Sequence, residues 1–376
     1  MKKTHLSSEA LSRALALRDL TDPAQGPHAM QLLLAEVVDA LRARWGCAVE
    51  VRRAHPVVHV TDNYDALGYP ADGAARDSRY TRYVTDDTLL RTQTSAMVPA
   101  ALRELARQPA RDTLLVCPGL VYRRDSVDRL HAAEPHQVDL WRLCPRDDDG
   151  PHALATTVLA AALPGCEWRA TPTEHPYTRE GLQLDVRDGD EWIEVGECGV
   201  ASPALVARSG LSDVRGLAMG LGLDRLLMLR KGMPDIRLLR STDVRVIAQL
   251  GDLSPWRALS RQPPVTRDLS LAVSPERAQA ELLGDEVREA LGTDAALVES
   301  VSLMSVTPAL ELSPAARGRI GLGEGQVNVL LRVVLRAVDR ALTTAECNVL
   351  RDRLWRALHE GAVDVLTSAV SGRASR

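Results

Sequence analysis

The 376-residue sequence contains no phenylalanine, and phenylalanine, tryptophan and tyrosine together make up 3% of it. The core must therefore be built from aliphatic side chains, which makes each tyrosine and tryptophan a marked position. Lysine is nearly missing as well: Lys2, Lys3 and Lys231 stand against a background of arginine, a bias that reads as compositional background. The 6 cysteines are scattered without a Cys-x-x-Cys pair, which favours neither a zinc site nor a disulfide framework and leaves reduced, mostly buried thiols as the expectation. No run of about 20 apolar residues occurs, and polar residues follow Met1-Lys2-Lys3, so the chain is expected to be cytoplasmic with no membrane partner. A formal net charge of −4 excludes bulk attraction to nucleic acid, DNA included; any RNA contact must come from a local basic face. Internal repeats and low-complexity tracts are absent.

What is present reads as an α+β chain. Ser7 or Ser8 can cap a helix over residues 10–20. After the Asp22-Pro23 and Gly26-Pro27 break, Met30, Leu33, Leu34, Val37, Val38 and Leu41 recur at helical spacing until Gly46. Alternating or β-branched runs at 48–51, 57–60, 113–117, 119–124 and 137–143 predict strands. Residues 182–186 and 192–195 flank Asp188-Gly189, a two-residue turn signal, and predict an antiparallel hairpin. The middle of the chain is thus expected to be a mainly antiparallel sheet with flanking helices, not an alternating βαβ fold. Pro255, Pro263 and Pro264 mark a boundary across 251–264. Beyond it, strand 268–273, helix 275–291, strand 297–304, strand 326–335, helix 344–358 and an apolar run over 363–370 follow the βαββαβ order of ferredoxin-like folds. The expected domains are a helical segment over 1–50, a catalytic domain over 51–250 and a ferredoxin-like domain over 251–376.

Gly216, Gly220 and Gly222 clear space beside a sheet and lead into a helix whose first turn carries Asp224 and Arg225, an arrangement suited to a polyphosphate. Upstream, residues 121–125 and 136–139 read as two strands joined by a loop with Arg129 and His131, and an arginine borne on a strand can meet a phosphate bidentately.

Taken with these, the chain resembles the phenylalanyl-tRNA synthetases of the short, single-chain type, which are class II aminoacyl-tRNA synthetases. Asn63-Tyr64-Asp65-Ala66-Leu67 with Pro70, then Leu90 to Ser95, the Arg123 hairpin, Trp192 to Val195 with Cys198-Gly199, and Gly216 to Arg225 with Pro234 to Arg237 occur in the family's order. Leu259 to Pro264, Arg267-Asp268-Leu269 and Gly325-Gln326-x-Asn328 resemble its anticodon-binding module. The resemblance implies a class II antiparallel sheet and a C-terminal anticodon-binding-type domain. It further implies that ATP and Mg²⁺ are used, that an amino acid is activated as its adenylate, and that tRNA accepts it. Arg123 would ligate the α-phosphate; Arg225 would stack on adenine and reach the terminal phosphates; Asp125, His131, Glu194, Gly220 and Gly222 would complete the ATP site, with Glu194 a candidate Mg²⁺ ligand. Ser95, Gln137 and Asp139 would hold the α-ammonium, and Gln93, Val98, Thr171, Thr173, Gly199 and Ala218 would line the amino-acid site.

The departures bear on specificity. Gln93 stands where the family has His, Val98 where it commonly has Gln, and Pro135 where an aromatic residue flanks adenine. The family's Phe-x-Phe becomes Thr171-Pro172-Thr173, which implies a roomier, more polar pocket for a larger or hydroxylated amino acid. A small length difference near 177–180 would instead bring in Tyr177 as the missing ring. In the C-terminal module Arg332, Arg336, Arg340, Arg351, Arg353 and Arg356 offer either a phosphate-tracking face or a set of tertiary salt bridges. A paralogue that passes the aminoacyl group to a small molecule or carrier protein, and a non-catalytic regulator, are the alternative functions. The assembly is expected to be a monomer or homodimer.

Overall fold

The computed structural model describes every residue except 1–2, 109–110, 125–127, 146–148, 212–213, 260–262, 338–339 and 364–376. Contacts divide the chain into two units: residues 1–123, 134–239 and 247–256 in one, residues 124–133, 240–246 and 257–376 in the other.

The first unit begins with α1 (Ser8–Leu15) and α2 (Ala29–Trp45). Ser7 caps α1 by accepting from the Ala10 N–H at 3.1 Å. One face of α2 buries Ala29, Met30, Leu33, Leu34, Val37 and Leu41, the larger of them contributing roughly 1.5–3 kcal/mol each. Gly46, at φ 62°, ends α2 in the left-handed conformation and turns the chain into the sheet. There follow β1 (Ala48–Val51), β2 (Val57–His59), β3 (Thr88–Leu90), α3 (Val98–Leu105), β4 (Thr113–Leu120), β5 (His136–Cys144), α4 (Pro151–Ala162), β6 (Trp168–Thr173), β7 (Thr178–Asp188), β8 (Glu191–Ala201), α5 (Pro203–Arg208), β9 (Arg215–Gly222) and α6 (Leu223–Lys231). Seven strands form one sheet in the order β1-β4-β5-β9-β8-β7-β6. β1 runs parallel to β4 and every other neighbouring pair is antiparallel. β2 and β3 form a separate antiparallel pair. Residues 247–256 are tied to α6 by the buried Lys231 ammonium, which donates to the carbonyls of Asp252 at 2.8 Å and Ser254 at 2.6 Å.

After α7 (Val244–Ile247) come the elements of the second unit: β10 (Val265–Val273), α8 (Ala280–Leu291), β11 (Val298–Pro308), α9 (Pro314–Ile320), β12 (Val327–Leu335) and α10 (Thr344–Leu358). The expected helix over 275–291 begins only at Ala280, because Pro275–Arg277 form a 3₁₀ turn and Gln279 is extended. The three strands pair antiparallel in the order β10-β12-β11. Alternate residues of β12, Val329, Leu331, Val333 and Leu335, are buried with Leu283, Val287 and Leu291 of α8 and Leu350, Leu354 and Leu358 of α10. Thr343 and Glu346 close a capping box on α10. The apolar run expected over 363–370 lies, Val363 apart, outside the described residues, as does Arg261. Among the described residues, no helix is long and apolar enough to cross a membrane. None of the six cysteines is in a disulfide and, Cys166 apart, they are buried.

Candidate active site

Register gathers most of the candidate residues on one face of the seven-stranded sheet. Gly220 pairs with Asp139 of β5 and Glu197 of β8; Asp139 pairs with Cys117, Glu197 with Gln183, and Gln183 with Thr171. Paired residues point to the same side, so these side chains form a row across the sheet with Gly220 bare at its centre. A Cβ added at Gly220 would meet nothing within 4 Å. One neighbouring row holds Trp141, Ala218 and Gly199; the other holds Gln137 and Gly222, where β9 passes into α6.

An extra residue in β8 places two acids on that face. Leu184 pairs with Gly196 but Asp185 with Glu194, which leaves Val195 bulged. In a regular strand, residues three apart face opposite ways; the bulge restores Glu194 and Glu197 to the same side. Gly196 is required there because a Cβ would run into the Gly220 carbonyl oxygen.

Arg225, in the first turn of α6, donates from Nη1 to the main-chain carbonyl of Glu194 at 2.9 Å. Its neighbour Asp224 fixes the helix start: the buried His136 N–H donates to Asp224, and its Nδ1 lies 3.1 Å from the carboxylate. His136 Nε2 accepts from the Leu20 N–H at 3.1 Å, which leaves Nδ1 to donate. Arg123, expected on a strand, lies three residues beyond the end of β4. Beyond β4 the Val121 N–H still donates to the Pro135 carbonyl at 2.9 Å, but proline has no N–H to return. The chain turns instead to Arg91, whose Nε donates to the Leu120 carbonyl at 2.7 Å and whose own carbonyl accepts from Tyr122 N–H at 2.9 Å. The exposed Arg123 still acts electrostatically on Glu197.

Burial and the neighbouring charge of Glu194 push the Glu197 carboxyl up to about 7, with Arg123 opposing. Burial also lowers His175, whose Nε2 contacts the Glu197 carboxyl. Both directions are those of a neutral contact, in which a protonated Glu197 donates to the imidazole. Asp139 is placed differently from expectation. Its Oδ1 accepts from Ser95 at 3.0 Å and Trp141 Nε1 at 3.1 Å, and its Oδ2 from Thr94 at 2.7 Å and Ser95 at 3.0 Å. Burial raises this carboxyl against those donors. The group expected to hold an α-ammonium thus spends both oxygens inside the protein, pinning Ser95 to the sheet. Gln93 bridges the Asn63 carbonyl and the Tyr69 hydroxyl at 3.0 Å each. Val98 packs into the same core as Trp141 and Ala218.

Thr171, exposed, and Thr173, half-buried, stand on this same face at β6, the outermost strand, and the residues after that strand add rings to it, as the alternative reading of 177–180 expected. Tyr177 stacks on Trp141 with centroids 6.1 Å apart, and tilts against His175 at 5.5 Å and Tyr69 at 6.3 Å. His131 belongs to the second unit, where its Nδ1 meets Asp128 at 2.7 Å. Asp125 lies outside the described residues. Sequence reasoning missed Glu197, His175 and Trp141; an acid three residues after Glu194 in a glycine-flanked strand was the available signal for the first.

For a divalent cation, the described residues contain no cluster of three or more metal-type ligands. Glu194 fits Mg²⁺ nonetheless, because that ion commonly takes one or two carboxylates and fills its remaining positions with water and phosphate oxygen.

A model of the family described as "tRNA synthetases class II core domain (F)" matches residues 20–250. Phenylalanine–tRNA ligase, chloroplastic/mitochondrial, of Arabidopsis thaliana is 30% identical over 315 residues, spanning 80% of this chain and 68% of the relative. The phenylalanine–tRNA ligase alpha subunit of Prochlorococcus marinus (strain MIT 9313) is 34% identical over 243 residues, 61% of this chain and 69% of the subunit. Pyrrolysyl-tRNA synthetase from Desulfitobacterium hafniense aligns in structure at TM-score 0.46 and 20% identity, over 57% of this chain and 74% of that one.

Proposed function

We propose, from the premise that this chain belongs to the family of class II tRNA synthetase core domains, that it is a ligase activating an α-amino acid with ATP and passing it to tRNA. The amino-acid carboxylate attacks the ATP α-phosphorus, pyrophosphate leaves, and the resulting aminoacyl-adenylate is opened by a tRNA hydroxyl with release of AMP. Charge accumulates on phosphoryl oxygens throughout, so positioning and electrostatic stabilisation are the work required. Arg123 meets the α-phosphate and Arg225 the nucleotide, over a floor kept low by Gly220 and Gly222. Glu197 ionises on receiving the α-ammonium, with Gln137 beside it, while Ser95 is held in place by Asp139. Mg²⁺ would be held through Glu194, with water and phosphate oxygens filling its other positions, and would supply counter-charge to the phosphates.

The observation that carries this reading is the common face: a bare Gly220 flanked by Glu197, and two arginines that both reach the Glu194–Glu197 stretch, Arg225 by hydrogen bond and Arg123 through its field. The catalytic domain spans 51–250 in this proposal. Residues 251–376 form a ferredoxin-like, anticodon-binding-type domain, whose 257–376 part falls in the second unit; the strand order β10-β12-β11 is the support for that reading.

A second reading, transfer to a small molecule or carrier protein, draws on the arginines of that unit. Arg332 pairs with Asp268, Arg336 with Glu299, Arg340 with Glu346, Arg351 with Asp352 and Arg353 with Asp294, which is the salt-bridge pattern rather than an open cationic track. ATP–pyrophosphate exchange tests the shared chemistry: Arg123→Ala is expected to lower it by about 10²–10³-fold, and unchanged exchange would refute the site. Aminoacyl-tRNA formation then separates the two acceptors.

A further inference from the structure

The row that carries Glu197 and Gly220 is open, but the next row along the same face is not. An α-amino acid held at Glu197, with its carboxylate toward a nucleotide on the Gly222 and Arg225 side, must direct its side chain toward Trp141, Ala218 and Gly199. There the wall is shut. Trp141 and Val98 are 0% exposed and Ala218 1%, so solvent does not reach them.

The lid of that wall is Tyr177, stacked on Trp141 and braced by Tyr69 and His175. It is not loosely placed. Its carbonyl accepts from Ser202 N–H at 2.8 Å, its phenol lies beside Ser95 and Asp139, and the Trp141 beneath it donates to Asp139. Opening the wall would unstack two rings and disturb the network that positions Ser95. By contrast, the Glu197 and His175 side chains each retain 27% exposure, so this row stays open to a ligand.

We propose that Trp141 and Tyr177 close the side-chain end of the amino-acid site, so that the substrate is a small amino acid of the size of glycine, alanine or serine and phenylalanine is excluded. The inference rests on the adenylate-forming reading above. Tyr177 is the specificity-determining residue: it sets the depth available to the side chain, and it lies away from the nucleotide side at Gly222 and Arg225.

The test uses the full chain and two assays. In ATP–pyrophosphate exchange the wild type should favour one of glycine, alanine or serine over phenylalanine by roughly 100-fold or more in kcat/KM, the scale at which pocket shape discriminates. Tyr177→Ala, and separately Trp141→Leu in case one variant misfolds, should shrink that ratio at least tenfold by gaining phenylalanine. Preference of the wild type for phenylalanine, or an unchanged ratio in a variant with a native circular dichroism spectrum, overturns the proposal. The second assay is amino-acid binding without ATP, read as a rise in Tm. If no amino acid supports exchange, yet small ones raise the wild-type Tm and phenylalanine raises only that of Tyr177→Ala, the adenylation reading fails and the pocket assignment stands. A wild-type Tm raised by phenylalanine alone overturns the assignment.

Discussion

Replacing Glu197 by glutamine should make the protein more stable, by an amount that depends on pH. A carboxyl whose folded-state value lies above its unfolded value favours folding while protonated; that contribution is complete below the unfolded value and is lost as pH rises through the folded one. For Glu197 the window runs from 4.5 to about 7, which at about 1.4 kcal/mol per pH unit amounts to about 3 kcal/mol lost across it. The amide keeps the shape and the contact with His175 but carries no charge beside Glu194. Thermal or urea denaturation of wild type and Glu197→Gln should therefore nearly coincide near pH 4.5 and diverge steadily, with the variant ahead by up to about 3 kcal/mol at pH 8. A gap that stays constant between pH 5 and pH 8 would refute the assignment of a buried, charge-crowded acid at this position. Exchange activity provides the complementary readout: without the carboxylate, KM for the amino acid should rise while KM for ATP holds.

Two further expectations follow from geometry and burial. Gly196→Ala and Gly220→Ala lie on paired strands yet should behave oppositely: the first drives a methyl into the Gly220 carbonyl oxygen and should cost about 1–3 kcal/mol in denaturation, whereas the second meets open space and should fold normally while weakening ATP binding in titration calorimetry. His28, which caps α2 through Nδ1, is driven by burial, with His136 and Arg18 adding to the effect, to about 4. Its stabilising contribution is present above 6.5 and lost as pH falls toward 4, so His28→Asn, which keeps a cap, should flatten the acid limb of the unfolding curve.

Local signals in the sequence carried much of the fold. The Asp188-Gly189 turn, the helix over 344–358 and the strand over 48–51 all follow from short-range patterns, and so does the passage of Gly220 and Gly222 into the helix bearing Arg225. What escaped depended on contacts between distant segments. Arg123 lies beyond the strand because pairing ends at Pro135, which has no N–H to give, and Arg91, thirty-two residues before Arg123, takes up the Leu120 carbonyl and the Tyr122 N–H. Asp139 reads as an open ligand until Thr94, Ser95 and Trp141 are seen to fill both its oxygens. Glu197 was invisible to a period-two reading, which assigns it and Glu194 to opposite faces; only the bulged Val195 reverses that. Tyr177 did not escape: it is the alternative ring that the sequence already offered, a few residues beyond Thr171-Pro172-Thr173.

The unpaired residue in β8 also bears on how such a centre can arise. No point substitution moves a glutamate from one side of a strand to the other, but gaining or losing a single codon does, and it carries every downstream residue of that strand with it. In this chain a one-residue deletion at Val195 would turn Glu197 and Gly199 toward the opposite side while leaving Glu194 where it is. The paired acids are thus more readily made or erased by a length change than by any exchange of side chains, and the length between Trp192 and Gly199 is where divergence among relatives would first show.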